Sequence, residues 1–549
     1  MGPALTDLLL PEVLCRRAAD TGADTFFQMI GGGPVTYAEA YTAACAVGNG
    51  LVDLGVERGE CVVIMADNSD RALFSWLGII LAGGVEVAIN TAYRGNALRH
   101  VLENSQASVV FIDAALLPRI IEIADTLDHL RTVIVYEGAI LHEGADAGPE
   151  VPKGWRVVGY DEVLGDPATP PDRPVGPEDL CSIVYTSGTT GPAKGVMMPH
   201  GQVSLFARLG VEGARLTAED VYYSFIPLFH VAGKFIGILG SMMTGGRVVV
   251  DTKFSAEDWL PRVRKHGVTV SLVHGPLVEM IFAQPEREDD AQIPVTRIVA
   301  SPFPAKIAKA FERRFGLRGI ETWGMTEVTV PIWQPWDEPL NVGSCGRIRT
   351  EYFDIRIVDP ATDSELPVGQ IGEVVIRPKR PWTMMQGYFR MPDVTLKAWR
   401  NLWFHTGDLM YRDEHGYMHF VDRVKERIRR RAENISSYEI ESAALLHPAV
   451  AEAAAVGVPS EFEGDDDVKL LIITVPGAQV APEALLGDLA TELPHFMVPR
   501  YIEFVDVLPR TPTGKVQKAS LRDQGVTPAT WDRKTAGVSI RDLVDSSEG

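Results

Sequence analysis

Through the first four hundred positions apolar residues gather into short β-branched runs, with polar and helix-patterned stretches between them. The runs are Val62-Val63-Ile64, Val109-Val110-Phe111-Ile112, Val133-Ile134-Val135, Val248-Val249-Val250 and the segment from Val268 to Val273. Runs of this length, without alternation of apolar and polar positions, predict strands covered on both faces. Ile307, Phe311 and Phe315 recur every four residues and stop at Gly316, which predicts a helix. Strands alternating with helices imply largely parallel, helix-covered sheets, an α/β architecture. The longest apolar stretch, Leu73 to Ile89, is broken by Gly83-Gly84 and Glu86. It predicts a buried helix running into a strand, not a membrane span.

The pattern changes twice. Gly148 to Asp179 is rich in proline and acidic residues and reads as an irregular surface excursion. Near Asp422 the change is sharper: Arg423, Lys425, Arg427, Arg429, Arg430 and Arg431 follow within nine residues. Beyond them a compact α+β pattern is expected, with a helix from Ser437 to Leu446, a strand at Lys469–Val475, a helix near Pro482–Glu492 and a strand at Tyr501–Val507. This divides the chain into a large domain over 1–424 and a small one over 425–549. The last thirty residues read as a loosely attached tail.

Composition narrows the function. A chain of 549 residues exceeds what one core supports, and 46% apolar with 23% charged residues is ordinary for globular proteins. A formal net charge of −21 argues against non-specific nucleic-acid or anionic-membrane binding. Cys15, Cys45, Cys61, Cys181 and Cys345 are scattered and form no Cys-x-x-Cys pair, which fits a reducing compartment. Charged Asp7, Glu12, Arg16 and Arg17 flank the N-terminal leucines, so no signal peptide is expected. A soluble cytoplasmic protein is the expectation.

The richest chemistry lies in Tyr185-Thr-Ser-Gly-Thr-Thr-Gly-Pro-Ala-Lys-Gly195, which holds three glycines, four aliphatic hydroxyls and one lysine directly after Ser182-Ile183-Val184. Glycines let backbone N–H groups approach a polyanion, and hydroxyls with an ammonium complete a phosphate cradle. Neither the P-loop nor the dinucleotide-binding glycine spacing is present. Four further segments add to it. Trp323-Gly324-Met325-Thr326-Glu327, expected on a loop, offers a stacking ring, a hydroxyl and a carboxylate suited to Mg²⁺. Thr406-Gly407-Asp408 presents an acceptor carboxylate at a glycine turn. Asp422-Arg423 opens the basic stretch, and Pro509 to Lys515 presents a lysine from a proline-bracketed loop.

In this order, these segments resemble the adenylate-forming superfamily of acyl-CoA synthetases, adenylation domains and luciferases, over roughly residues 25 to 520. Asn90-Thr-Ala-Tyr-Arg-Gly95 and Glu433-Asn434-Ile435-Ser436 look most like CoA ligases of the crotonobetaine/carnitine type. The resemblance implies a large domain with a distorted β-barrel beside its sheets and a small mobile lid domain. It implies an ATP-dependent carboxylic acid–CoA ligase working through an acyl-adenylate, with ATP, Mg²⁺ and coenzyme A as cofactors. Thr186, Ser187, Gly188, Thr189, Thr190 and Lys194 would lie over the β,γ-phosphates, and Trp323 with Gly324 against the adenine. Thr326 would contact the α-phosphate, Glu327 with Thr186 the magnesium, and Asp408 and Arg423 the ribose. Lys515 matches the catalytic lysine and Lys425 the hinge. Arg431, Ala432 and Glu433 would enter for the CoA step. At Ala432 the family commonly has glycine, and the added methyl narrows the passage for the pantetheine arm.

Pro227 to Gly233 corresponds to the segment that lines the acid's site in that family. His230 would gate the carboxylate; a histidine that only hydrogen-bonds the backbone is the alternative. No aspartate follows Phe229 before Leu239, which disfavours amino-acid substrates. Phe229, Val231 and Phe235 are expected to touch the acid, with Ile236, Ile238, Met242 and Met243 largely in the core. Lys234 would meet a polar substituent or, as the preferred reading, face solvent. The partners expected are a small carboxylic acid and, as an option, a second copy of the chain. Two other activities remain open: loading a carrier protein from the acyl-adenylate, and a non-catalytic nucleotide-binding regulator.

Overall fold

The structure is a computed structural model, and it describes residues 7–136, 152–186, 193–423, 428–430, 433–435, 437–460, 466–493, 497–510 and 516–539. The chain divides into two compact units: residues 1–355 with 376–404, and residues 356–375 with 405–549.

The first unit contains an eight-stranded sheet among its described residues. Its parallel part runs Leu180–Thr186, Val85–Ala88, Cys61–Met65, Val109–Ile112, Thr132–Val135 and Arg156–Gly159. The predicted runs therefore became strands, and every residue of Val85–Ala88, Val109–Ile112 and Thr132–Val135 is buried. The stretch Leu73 to Ile89 resolves into a helix, Asp70–Leu81, and the strand Val85–Ala88. Ser69 caps that helix through its side chain. The proline-rich excursion is less irregular than expected, because Arg156–Gly159 adds an edge strand too short to stand out as a run.

A second sheet in the same unit places Thr25–Met29, Arg247–Val250, Val221–Ser224, Val270–His274, Arg297–Ser301 and Arg318–Met325 side by side and parallel. The periodic helix is Ala308–Phe315, with Phe311 and Phe315 buried and Gly316 as its cap. Among the described residues no helix is long and apolar enough to cross a membrane.

In the second unit a four-stranded sheet orders Val450–Pro459, Asp466–Thr474, Tyr501–Phe504 and Trp531–Asp532. Along Asp466–Thr474, Leu470 and Ile472 pack with Ile440, Leu485 and Ile502, while Leu471 packs on the other face with Val456 and Leu521. The helices are Ser437–Ala444 and Pro482–Glu492. Part of the presumed tail is a correction to the sequence reading. Trp531–Asp532 pairs antiparallel with Tyr501–Phe504, and Arg500 holds Asp532 at 3.1 Å and Asp467 at 2.8 Å.

Candidate active site

Strand Leu180–Thr186 turns back antiparallel into Lys194–Pro199, with Thr186 opposite Lys194. This hairpin fixes both ends of the glycine–hydroxyl loop. Ser187, Gly188, Thr189 and Thr190 lie outside the described residues, as do Lys425, Arg431, Ala432 and Lys515. Glu433 is placed on the strand Glu433–Ile435, opposite Arg430.

Lys194 sits with its Nζ 4.5 Å from the centroid of the Tyr388 ring. The Tyr388 hydroxyl donates to Glu327 Oε1 at 3.0 Å. Tyr388 reaches this position because Gly387–Tyr388 pairs with Lys194–Pro199, Tyr388 lying opposite Val196. The lysine that ends the glycine–hydroxyl loop and the candidate metal carboxylate are thereby joined through one phenol. Sequence reading missed Tyr388, since an isolated Gly-Tyr carries no local signal.

The Trp323–Glu327 segment is not a loop throughout. Trp323, Gly324 and Met325 end the strand Arg318–Met325, and only Thr326 and Glu327 sit on the turn that follows. Gly324 has a steric reason: a Cβ there would lie 2.2 Å from the Thr329 carbonyl oxygen. Gln202 supports the turn from the helix His200–Ala214, its Nε2 donating to the Thr326 and Glu327 carbonyls at 2.8 and 3.2 Å. Trp323, Thr326 and Glu327 are all mostly buried. Two residues before Trp323, burial pushes the Glu321 carboxyl up to about 8, opposed by the Phe303 backbone N–H.

A Mg²⁺ ion fits this donor set. Such an ion commonly takes one or two carboxylates and completes its shell with water and substrate phosphate, and Glu327 supplies a carboxylate with hard oxygen donors. No all-protein cage is needed.

Around the expected acid segment, Phe229 and His230 are half-buried, and Val231 and Phe235 are buried. His230 Nδ1 accepts from the Ala232 backbone N–H at 3.2 Å, so that nitrogen serves the local turn. Phe235, Ile236, Ile238, Met242 and Met243 are almost wholly enclosed. Lys234 corrects the sequence reading outright. It is 0% exposed, on a π-helical segment Ala232–Leu239, and pairs with Glu86. Glu86 was read as a break in an apolar run, whereas it is the buried counter-ion.

In the second unit, Thr406-Gly407-Asp408 belongs to the strand Phe404–Arg412 and not to a turn. Gly407 adopts φ +72 there, and its N–H donates to Glu373 Oε1 at 3.0 Å. Asp408 stands opposite Arg423 on the neighbouring strand, with Arg423 Nε 3.0 Å from Asp408 Oδ1. Two predicted ribose contacts are thus paired with each other. Asp422, next to Arg423, accepts from the Ser437 N–H and hydroxyl at 2.7 and 2.8 Å.

The AMP-binding enzyme family matches residues 14–389, and the AMP-binding enzyme C-terminal domain matches residues 439–515. The chain belongs to this family. A sulfoacetate–CoA ligase from Cupriavidus necator is 30% identical over 534 residues, covering 94% of this chain and 98% of the relative. A crotonobetaine/carnitine–CoA ligase from Salmonella arizonae is 28% identical over 494 residues, covering 86% and 90%. The crystal structure of the anthranilate CoA ligase AuaEII in complex with anthranoyl-AMP superposes with a TM-score of 0.83 at 25% identity, covering 95% of this chain and 99% of that one. The expected kinship with adenylate-forming CoA ligases is met, as is the α/β fold with a large sheet-rich domain and a small C-terminal one. The crotonobetaine/carnitine leaning is shared with relatives that act on quite different acids, so it does not select a substrate.

Proposed function

We propose that this AMP-binding enzyme is an ATP-dependent carboxylic acid–CoA ligase acting through an acyl-adenylate. The observation that carries the site assignment is the Lys194–Tyr388–Glu327 contact, which holds an ammonium and a carboxylate around one phenol beside the glycine–hydroxyl hairpin.

Hydroxide is a poor leaving group, so a carboxylate cannot be thioesterified directly near neutral pH. Attack of the carboxylate on the α-phosphorus of ATP expels pyrophosphate and gives a mixed anhydride whose AMP the CoA thiol then displaces. The barrier in the first step is repulsion between anions, met mainly by positioning and charge neutralisation. In this reading Lys194 takes the departing pyrophosphate, Thr326 contacts the α-phosphate and Trp323 offers its face to the adenine. Asp408 and Arg423 take the ribose. Mg²⁺, held through Glu327, would supply further charge neutralisation. Lys515 bridges the incoming carboxylate and the α-phosphate, carried by a lid that begins near Lys425. The basic run around Arg431 serves the phosphoryl groups of CoA. The acidic net charge and the scattered cysteines favour a cytoplasmic setting.

The test is pyrophosphate release across a panel of acids, with and without CoA. Discharge of the acyl-adenylate by free CoA supports the ligase; discharge only by a holo carrier protein selects the loading enzyme. In Lys515→Ala, acyl-adenylate formation should vanish while CoA transfer from supplied acyl-adenylate persists. Equal loss of both steps would remove Lys515 from its role.

A further inference from the structure

Lys234 and Glu86 form an ion pair sealed from water, with Lys234 Nζ 2.5 Å from both carboxylate oxygens. Ser182 Oγ adds a hydrogen bond to Glu86 Oε2 at 2.8 Å. An ammonium has three donors, and two are accounted for. Among the described residues the third finds no acceptor; Nζ instead stands 5.5 Å from the Trp76 ring and 5.0 Å from the Phe235 ring. Trp76 Nε1 is also buried without a hydrogen-bond partner among the described residues. Trp76 and Glu86 line a small cavity whose other walls include Ala72, Ala88, Leu228 and Phe229. One donor lacking an acceptor, Trp76 Nε1, and one carboxylate, Glu86, therefore line an otherwise apolar recess next to the segment expected to receive the acid, with Lys234 Nζ bound to that carboxylate.

An enclosed ion pair is no cheap source of stability, because apolar side chains of the same volume usually serve as well or better. The pair is already neutral. A second anion brought to it would be a buried charge without compensation, and a cation would compete with Lys234 for Glu86. A hydroxyl suits it: the oxygen accepts from Trp76 Nε1–H or Lys234 Nζ–H, and its O–H donates a hydrogen bond to a Glu86 carboxylate oxygen. We infer that Lys234, Glu86 and Trp76 form a receiving site for an uncharged hydroxyl at the end of the acid remote from its reacting carboxyl. This deepens the ligase reading and rests on it.

The test compares acids differing only at that end, in pyrophosphate release with CoA: ω-hydroxyoctanoate, octanoate and the diacid suberate, and p-hydroxycinnamate against cinnamate. At least one hydroxy acid should exceed its plain partner by about a hundredfold in kcat/KM, since buried donors left unpaired penalise the analogue. Suberate should fall below ω-hydroxyoctanoate. In Glu86→Gln/Lys234→Met both charges leave together, and the ratio should drop to below about tenfold. Trp76→Phe keeps the ring, loses the donor, and should lower the ratio as well. Equal use of plain and hydroxylated acids, a preference for suberate, or a ratio that survives in the double variant would overturn the subsite. Should the double variant fail to fold, the Trp76→Phe ratio decides. Failure of the wild-type enzyme on every acid of a wide panel would instead sink the ligase reading itself.

Discussion

Tyr388 does two jobs with one side chain: its ring faces Lys194 and its hydroxyl binds Glu327. Tyr388→Phe separates them, keeping the ring and removing the donor. A hydrogen bond to a charged group contributes about 1.5–3 kcal/mol. Adenylation should fall roughly tenfold to a hundredfold, and Mg²⁺ titrations of pyrophosphate release should show a changed requirement. Glu321 offers a prediction in pH. Its folded value near 8 lies above the ordinary carboxylate value of 4.5, so in that window the folded chain holds a proton that the unfolded chain releases. Stability from this group is present at low pH and is lost as pH rises through about 8. Glu321→Gln should flatten that decline, with Tm above wild type at pH 8 and little changed near pH 4.5. At this scale the motif residues were legible because their spacing is local. Tyr388, Gln202 and the Glu86–Lys234 pair were not, because their partners lie 61, 125 and 148 positions away.

At the scale of elements, buried parallel strands were legible from their β-branched runs, and the helix Pro482–Glu492 from its proline start. Val450–Pro459 was not: it is alanine-rich, a poor strand signal, and becomes a strand only by pairing along its length with Asp466–Thr474. Trp531–Asp532 was missed for the same reason, being too short to pattern. Strand ends matter most at Gly324. The Thr329 carbonyl closes on it so tightly that Gly324→Ala must push the hairpin apart. The expected cost is about 1–3 kcal/mol, visible as a lower Tm. Because Thr326 and Glu327 sit on the adjoining turn, adenylation should fall further than stability alone explains.

For the whole molecule, the two half-reactions ask for different neighbours around one carbonyl. In the proposed mechanism a lid would swing about Lys425 to supply them. Proline fixes φ and removes a donor, so Lys425→Pro should impair thioesterification more than adenylation. Both half-reactions measured separately provide the check, and a parallel loss would argue against a hinge there. Length and the basic run lead to an expectation of two domains; in the structure residues 356–375 group with the second unit although they precede the end of the first, a grouping that no local run signals.

The short strand Trp531–Asp532 has a practical side. It occupies the outer rim of the Tyr501–Phe504 strand, whose backbone would otherwise offer open hydrogen-bonding groups to other chains. A shortened protein ending before Thr527 would bare that rim and strip Arg500 of its acidic partner Asp532. Such a product should self-associate on concentration while the catalytic motifs remain intact, so fusion tags and deletions are better kept beyond residue 539.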